Sequence, residues 1–252
     1  MRNLLKVWNN YYATSNKDTA IRDENFFSLE IEAISNNLLK KIINRHKKKT
    51  IQILELGSGT GFLASKIASL LTKNKVKYHY LGIDFSDVGI QKANKRKIDN
   101  CTFLKDDFLN FLKSNQKKFD FIITQRTVMA IMEKKAQEQI LKLIKTSLSS
   151  TGCGLLSECS IQALKEIQEI RKLLGVKPLK KVWHSRYLDE RFLPKVFTNI
   201  KVMDFSSTYW LITRAIYPFF EEPKHNAKIH NVAAKLTQTG NYGLVKLFVV
   251  GP

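Results

Sequence analysis

The sequence predicts an α/β fold in which a doubly wound, Rossmann-like sheet of seven strands is flanked by helices. Short apolar runs, typical of buried strands, alternate along the chain with segments whose apolar residues recur at helical spacing. The first run, residues 51–56, is followed at once by a turn with three glycines and then by a helical pattern over residues 62–71. A strand, a glycine turn and a helix in this order are typical of the ligand-binding unit of doubly wound sheets.

The glycine turn has the form Glu55-x-Gly57-Ser58-Gly59-x-Gly61. Glycine lets the backbone turn tightly and approach a ligand, and the following helix points its free N–H groups over the turn. The Glu55 carboxylate would repel a pyrophosphate, whereas it suits a cationic or amino-bearing ligand. The turn therefore predicts a ligand site other than a G-x-G-x-x-G dinucleotide site.

A second predicted strand, residues 78–84, ends in the carboxylate of Asp84 and is followed by Phe85. An acid at this point can accept hydrogen bonds from both hydroxyls of a ribose. With this acid and the glycine turn, the chain resembles the class I S-adenosylmethionine-dependent methyltransferases over about residues 50–160. The resemblance implies S-adenosyl-L-methionine as cofactor and a mostly parallel sheet whose seventh strand, residues 244–250, is antiparallel.

The resemblance also implies where the cofactor is held. After the third predicted strand, residues 101–104, an aspartate would accept from the adenine amino group; Asp107 with Phe108 fits best, and Asp106 is the alternative. Such a carboxylate pair is also typical of a helix cap or a solvated turn. The implied cofactor-binding residues are Glu55, Gly57, Ser58, Gly59, Gly61, Asp84, Phe85, Asp106, Asp107, Phe108, Thr124 and Gln125.

The fourth predicted strand, residues 119–124, leads into Gln125-Arg126-Thr127. Ligands of open parallel sheets bind beyond the carboxyl ends of the strands, so the methyl group and its acceptor should meet here. Amino-directed nucleic-acid methyltransferases carry an Asn/Asp-Pro-Pro-Tyr-like motif at this place, which is missing here, as is a Pro-Cys pair. Both absences argue against base methylation. Arg126 either binds an anionic group of the acceptor or forms a structural salt bridge.

Two regions outside the core are predicted to shape the acceptor pocket. Residues 1–45 form a helical cover whose aromatic residues either close over the cofactor as a lid or pack on the core. Residues 175–240 hold insertions, and the connection between the last two strands is long enough to be functional. The predicted acceptor-binding residues are Arg126, Tyr187, Tyr209, Arg214, Trp8, Tyr11 and Tyr12.

Methyl transfer requires in-line alignment, exclusion of water and removal of any acceptor proton. A phosphate or carboxylate oxygen is already anionic and needs no base, whereas a sugar hydroxyl would benefit from one. His184 is the leading candidate base, followed by His230 and Glu158, because an unperturbed histidine pKa near ~6.5 suits this role at neutral pH. Each histidine can equally be a structural residue.

Composition predicts one globular domain over residues 1–252. Hydrophobic residues make up 44% and charged residues 25%, which is ordinary for such proteins, and the length suits one α/β core better than two. No apolar run approaches the ~18 residues of a membrane span, and the first residues lack the features of a secretory signal. The three cysteines have no metal-like spacing. We therefore expect a cytoplasmic protein without a metal site.

The net charge of +20 admits nucleic acid, a membrane surface or an anionic substrate as partner. The lysines are spread along the whole chain, and the tightest clusters, residues 45–49 and 92–97, have no interleaved aromatic residues for stacking on bases. A lysine-rich composition with solvated helix ends accounts for this pattern better than an RNA site does.

A narrower resemblance bears on the acceptor. The sequence Thr124-Gln-Arg-Thr, Glu158, residues 183–184 and 206–209, and Arg214 resemble bacterial methyltransferases of surface-polysaccharide biosynthesis, although that family often has Thr-Glu-Arg where Gln125 stands here. The resemblance implies O-methylation of a small, anionic, sugar- or phosphate-bearing precursor. RNA methylation and a catalytically silent binding subunit of the same fold are the alternatives.

Overall fold

The computed structural model of the protein describes residues 2–14, 23–45, 50–180, 182, 184–221 and 228–252. These residues form one seven-stranded sheet. Its strands are Ile51–Leu56 (β1), Tyr78–Asp84 (β2), Cys101–Lys105 (β3), Phe119–Gln125 (β4), Leu148–Cys159 (β5), Asn199–Met203 (β6) and Val245–Gly251 (β7). Their spatial order is β3-β2-β1-β4-β5-β7-β6; β1 to β5 pair in parallel, and β7 runs antiparallel to both β5 and β6. The predicted fold is confirmed.

Helices connect these strands and cover both faces of the sheet. They are Arg2–Thr14 (α1), Glu24–Arg45 (α2), Phe62–Lys73 (α3), Asp87–Lys95 (α4), Phe108–Ser114 (α5), Lys134–Ser147 (α6), Ile161–Leu173 (α7), Ser207–Leu211 (α8), Tyr217–Phe220 (α9) and Lys228–Lys235 (α10). Short 3₁₀ turns lie at Val128–Ala130 and Glu190–Lys195. Among the described residues, no helix is both long and apolar enough to cross a membrane.

The core is divided by the sheet into two layers. One layer packs α2, α3 and α4 on one face, with Ile34 and Ile67 among its fully buried side chains. The other packs α5 and α6 on the opposite face, around Ile140 and Ile144. Because β1 and β4 are covered on both faces, they appear in the sequence as nearly continuous apolar runs, as expected for central parallel strands.

The strand order places a crevice above β1. Going along the chain, strands are added on one side of β1 as far as β3 and then on the other side from β4 onward. At such a switch point the loops after neighbouring strands turn in opposite directions, which leaves room for a ligand. The loops after β1, β2 and β4 therefore meet at one edge of the sheet.

The sequence predicts the fifth strand over residues 152–158, with a glycine turn before it, and the sixth strand over residues 200–205; the start of the fifth and the end of the sixth are wrong. The fifth strand starts at Leu148, because Gly152 lies inside it at a register shift against β4 instead of in a turn before it. A Cβ at Gly152 would lie 2.9 Å from the Phe119 carbonyl oxygen, so this backbone approach requires glycine. The sixth strand ends at Met203, because Asp204 accepts hydrogen bonds from the N–H groups of Ser206 and Gly243 and so starts a turn.

The long connection between β6 and β7 is mainly helical. The apolar part of the connection, residues 210–220, predicts a helix packed on the domain. It is present as α8, a π-helical turn Ile212–Ile216 and α9, which follow one another without a break. Within this connection α8 and α10 pack together, and α10 also packs on α2. The insertion therefore covers the first turns of α2. Trp183 and His225, which the sequence singled out, lie outside the described residues.

Candidate active site

The glycine turn after β1 is held against the ends of both neighbouring strands. Gly57, Gly59 and Gly61 have φ of 75°, 51° and 71°, a left-handed conformation that side chains disfavour. The N–H groups of Gly57 and Ser58 donate to the Ile83 carbonyl of β2. A Cβ on Gly57 would lie 2.3 Å from Thr127 Oγ1, so the turn also packs on the loop after β4.

Asp84 closes the other side of the crevice. Its side chain is buried, and its two oxygens accept from the N–H groups of Gly59 and Ser86, each at 2.8 Å. Burial raises the pKa of Asp84 to about 6. A carboxylate offers about four lone-pair positions, so both oxygens keep capacity for ribose hydroxyls. Within the turn, the buried Ser58 Oγ has no hydrogen-bond partner among the described residues. A ligand with several polar groups fits both features.

Glu55 lies beneath the turn instead of lining it. The carboxyl is buried and accepts a hydrogen bond of 2.9 Å from the Tyr80 hydroxyl. Burial raises the pKa of Glu55 to about 8. Glu55 is therefore only partly ionised at neutral pH in the ligand-free protein, and a cation bound nearby would favour its ionised form. The predicted preference for an amino-bearing ligand then acts through the field of this buried group.

The aromatic residues of α1 stand over the turn. Trp8, Tyr11 and Tyr12 contact one another with ring centroids 5.8–6.0 Å apart. A Cβ on Gly59 would lie 2.7 Å from the Tyr12 hydroxyl, and Lys92 of α4 donates to the Tyr12 carbonyl. They therefore lie where a lid over the cofactor would be, and the lid stays a prediction.

In the loop after β3, the aspartate predicted to bind adenine is engaged as a helix cap. Asp107 caps α5, because its Oδ1 accepts from the N–H groups of Leu109 and Asn110, both at 3.0 Å. Asp106 is exposed, and its N–H donates to the Asp84 carbonyl. The helix-cap interpretation thus holds for Asp107, and any role of this pair toward adenine stays a prediction. Phe85 and Phe108 are half-buried nearby in sequence.

Glu158 organises the loop after β4. The side chain is fully buried and accepts from the Thr124 hydroxyl at 2.7 Å and from three successive N–H groups at 3.0–3.1 Å, those of Thr127, Val128 and Met129. Burial raises its pKa to about 7. These hydrogen bonds engage Glu158 within the fold, and its role as a catalytic base stays a prediction. Thr124, which was predicted to bind the cofactor, donates its hydroxyl to Glu158.

Replacing Glu158 with alanine is expected to lower the free energy of unfolding by about 3 kcal/mol, because three buried N–H groups would lose their acceptor. Denaturant unfolding followed by circular dichroism measures this. The matched control is Glu133→Ala, since Glu133 is exposed at the start of α6 and its side chain makes no capping bond. Equal stability of the two variants would contradict the role of Glu158 as the organiser of this loop.

Arg126 lies at the start of this loop and is oriented by a residue that the sequence analysis missed. Its backbone has a φ of 56°, and its N–H donates to the Ser157 carbonyl at 2.7 Å. Glu30 of α2 lies 3.3 Å from Arg126 Nη2 and also accepts from Gln125 Nε2 and Ser157 Oγ. The predicted salt bridge of Arg126 is present, and Gln125 contacts Glu30. The buried Arg126 Nε donates no hydrogen bond to any described residue.

Three predicted site residues, Tyr209, Arg214 and His230, contact the side chain of Asp23. Oδ2 of Asp23 accepts from the Tyr209 hydroxyl and from Arg214 Nη2 at 3.0 Å, and lies 3.2 Å from His230 Nδ1. Burial opposes the charge of Asp23, but the Tyr209 hydroxyl, the Phe26 N–H and the Arg214 guanidinium hold its pKa below its ordinary value. Tyr209 and His230 are fully buried. Both are engaged in attaching the insertion to α2, and their predicted roles in acceptor binding and catalysis stay predictions.

Arg214 and Tyr187 are likewise used by the fold. Arg214 stacks on Trp210, with its guanidinium carbon 5.5 Å from the ring centroid, in addition to its bond with Asp23. Tyr187 is buried in the core layer that holds α2 and α3. Binding of an acceptor by either residue stays a prediction. His184 differs, because it is half-buried and its ring lies 6.0 Å from that of Trp8 in the lid.

Residues 47–200 match the family model described as a methyltransferase domain. The chain belongs to this family. The match covers the glycine turn, Asp84, the loop after β4 and Glu158. The predicted class of enzyme, an S-adenosylmethionine-dependent methyltransferase, is thereby confirmed.

Relatives of this methyltransferase differ in what they act on. Carboxy-S-adenosyl-L-methionine synthase of Desulfotalea psychrophila is 28% identical over 132 residues, which make up 50% of this chain and about half, 51%, of that protein. Malonyl-[acyl-carrier protein] O-methyltransferase of Bacillus cereus is 24% identical over 212 residues, 83% of this chain and 75% of that protein. The structure of N-methyltransferase NodS from Bradyrhizobium japonicum, solved with S-adenosyl-L-homocysteine, shares the fold with a TM-score of 0.62 and 13% identity over 99% of each chain.

Cofactor affinity of this methyltransferase is expected to rise with pH. In the predicted complex, ribose hydroxyls would donate to the ionised form of Asp84, whose pKa of about 6 lies above its ordinary value. Binding should therefore be weak below that pKa and strengthen as the pH rises through it, with Glu55 extending the rise toward its own pKa of about 8. Calorimetric titration of S-adenosylhomocysteine between about pH 5 and 8 measures this. Affinity that falls over this range would contradict the assignment.

Proposed function

We propose that this methyltransferase transfers the methyl group of S-adenosylmethionine to an anionic oxygen of a small acceptor that Arg126 binds. The observation that carries this proposal is the Arg126 guanidinium, which is oriented by Glu30 and has a buried Nε without a hydrogen-bond partner among the described residues. Buried polar groups are nearly always bonded, so an unused N–H here favours a ligand oxygen. An arginine donates two parallel bonds to a carboxylate or phosphate.

The position of Arg126 relative to the cofactor turn supports the same acceptor site. Thr127, the next residue, packs directly on Gly57, so the two loops share one crevice. Burial and the charges of Asp84 and Glu55 raise the pKa of Tyr12 in the lid, whereas the charge of Arg126 lowers it. The Arg126 side chain is therefore close enough to α1 to interact with Tyr12. An acceptor anion at Arg126 would thus lie between the cofactor turn and α1.

The chemistry at this site needs little from the protein beyond binding and alignment. The sulfonium of S-adenosylmethionine supplies an activated methyl group. Arg126 would hold the acceptor, Asp84 the ribose, and the lid of α1 would exclude water. An oxygen that is already anionic needs no general base, in keeping with Glu158 and His230 being bonded within the fold. If the acceptor is a sugar hydroxyl, His184 beside Trp8 is the candidate base.

For the acceptor we propose two classes that share an anionic group. The sequence resemblance favours a sugar- or phosphate-bearing precursor of a bacterial surface polysaccharide. The relative from Bacillus cereus, named for malonyl-[acyl-carrier protein], favours a carboxylate on an acyl thioester. Both classes use the same interaction, a guanidinium that contacts a carboxylate or phosphate next to the transferred methyl group.

A screen with matched pairs of acceptors tests this function. Formation of S-adenosylhomocysteine is followed with UDP-glucuronate against UDP-glucose, with malonyl-CoA against acetyl-CoA, and with bulk tRNA. The members of each pair share their phosphate groups and differ in one carboxylate. The proposal predicts turnover with the carboxylate-bearing member of at least one pair and little with the partner that lacks this carboxylate. Equal turnover of both members, or turnover with tRNA alone, would contradict it. Tight cofactor binding without turnover of any acceptor in a wider panel of anionic precursors would favour the silent subunit.

A further inference from the structure

We propose that Glu30 is a positioning residue, which orients the Arg126 guanidinium toward the acceptor anion. This inference rests on the proposed function in taking the acceptor to be anionic. Glu30 lies in the second turn of α2, whereas its partners lie at the carboxyl ends of β4 and β5. It therefore joins the helical cover to the edge of the sheet where methyl transfer is expected.

The carboxylate of Glu30 is fully buried and fully engaged. Oε1 accepts from Ser157 Oγ at 2.6 Å; Oε2 accepts from Gln125 Nε2 at 2.9 Å and lies 3.3 Å from Arg126 Nη2. A buried carboxylate is costly unless it is paired and hydrogen-bonded. All three partners converge on the one residue, so the orientation of Glu30 is fixed before any acceptor binds.

Two buried carboxylates, those of Glu158 and Glu30, hold different parts of the loop after β4. Glu158 binds the backbone N–H groups that follow Arg126, and Glu30 binds the side chains of Gln125 and Arg126. Arg126 itself adopts a left-handed backbone with a φ of 56°, a costly conformation for a residue with a Cβ. Residues in such conformations are concentrated at functional sites.

The hydrogen-bond pattern of the guanidinium gives it a direction. Glu30 engages Nη2, while Nε is buried without a described partner and the side chain as a whole is 25% exposed. The pair is close to neutral, so a ligand is recognised by directed N–H groups more than by diffuse positive charge. A guanidinium released from Glu30 would keep its charge but lose this orientation, and binding would then require it to be ordered again.

A set of four variants tests this role. Glu30→Gln removes the carboxylate charge, Arg126→Lys removes the planar guanidinium, and the double variant combines the two changes. Glu32→Gln is the matched control, because Glu32 lies on the same helix and is exposed. If Glu30→Gln does not fold, Glu30→Asp replaces it, since it keeps the charge but withdraws the carboxylate from Arg126.

The first readout needs no acceptor. In ¹⁵N-arginine-labelled protein, a held guanidinium shows separate, slowly exchanging Nη signals. We expect one such set to be absent in Arg126→Lys, averaged in Glu30→Gln and unchanged in Glu32→Gln. Identical Arg126 signals in Glu30→Gln and the wild type would overturn the proposal.

The second readout uses malonyl-CoA and UDP-glucuronate. Glu30→Gln should raise the KM of whichever of them turns over about tenfold, change S-adenosylhomocysteine affinity less than about twofold, and add nothing to Arg126→Lys. Additive effects in the double variant would overturn the proposal. Equal turnover of these two probes and of UDP-glucose and acetyl-CoA, which lack the carboxylate, would refute the proposed acceptor anion. If the Nη signals still depended on Glu30, the positioning of Arg126 would stand.

Discussion

The Asp84→Asn variant is expected to bind S-adenosylhomocysteine about 10- to 100-fold more weakly than the wild type while remaining folded. Asparagine keeps the shape of the side chain but replaces one acceptor oxygen with an N–H donor. In the structure both oxygens accept backbone N–H groups, from Gly59 and Ser86, so the amide would face either a backbone donor or a ribose hydroxyl without a matching acceptor. A buried polar group left unpaired costs about 1–3 kcal/mol, which corresponds to the stated loss.

The control for Asp84 is Asp99→Asn. Asp99 precedes the neighbouring strand β3, and its side chain is exposed. Calorimetric titration should therefore give an affinity for this variant close to that of the wild type. The pH dependence of binding around pH 6 should also disappear in Asp84→Asn and persist in Asp99→Asn, because the titrating carboxyl is lost only in the former. Unchanged affinity in a folded Asp84→Asn protein would remove the ribose assignment.

Replacing Arg126 with glutamine is expected to lower kcat/KM for the anionic acceptor about 100-fold, with S-adenosylhomocysteine affinity nearly unchanged. The guanidinium supplies charge-assisted hydrogen bonds to the acceptor, for which a loss of about 3 kcal/mol is typical. The cofactor turn and Asp84 do not depend on the Arg126 side chain, because their described hydrogen bonds run to β2 and to one another. The effect should therefore be confined to the acceptor.

Arg191→Gln is the matched control for Arg126. Arg191 also pairs with an aspartate, Asp189 at 2.7 Å, but it is largely exposed and lies in the 3₁₀ turn Glu190–Lys195. Its replacement should leave turnover within about twofold of the wild type, since exposed ion pairs contribute little. If Arg126→Gln kept full activity, or lost cofactor and acceptor binding together, an acceptor site at Arg126 would be wrong.

The turn and the helix cap on which the proposed cofactor site is built could be predicted from the sequence because they are local. The glycine turn, Asp84 and the Ser86 cap are set by residues within a few positions of one another, and turn and cap chemistry follows from residue type. The strand order could be inferred once the family resemblance was recognised. The exceptions were positions where distant backbone intervenes, such as Gly152 in β5, whose close contact with Phe119 has no local signature.

The acceptor half could not be predicted in the same way, because its contacts join residues that are far apart in the chain. Tyr209, Arg214 and His230 were interpreted as site residues, being polar and aromatic residues in a long connection. Their partner Asp23 lies nearly two hundred positions away and caps α2. Nothing local in the insertion distinguishes a residue that buries Asp23 from one that binds a ligand.

For Glu30 the sequence did contain a signal that was overlooked. Every fourth position from Phe26 to Leu38 lies on the buried stripe of α2. Three of these positions hold the apolar residues Phe26, Ile34 and Leu38, and the fourth holds Glu30. An acidic residue on the apolar stripe of a helix must find a partner in the core or at a site, since an unpaired buried carboxylate is costly. The pattern could have predicted a buried acid here, but not the pairing with Arg126.

The position of the S-adenosylhomocysteine sulfur relative to Arg126 tests the site most directly. A crystal structure of the complex is predicted to show the ribose hydroxyls on Asp84, the amino acid moiety over the glycine turn, and the sulfur facing the Arg126 guanidinium across a space large enough for an acceptor oxygen and one methyl group. A complex in which the sulfur points away from the loop after β4, with Arg126 on the opposite side of the cofactor, would contradict methyl transfer to an anion held by Arg126.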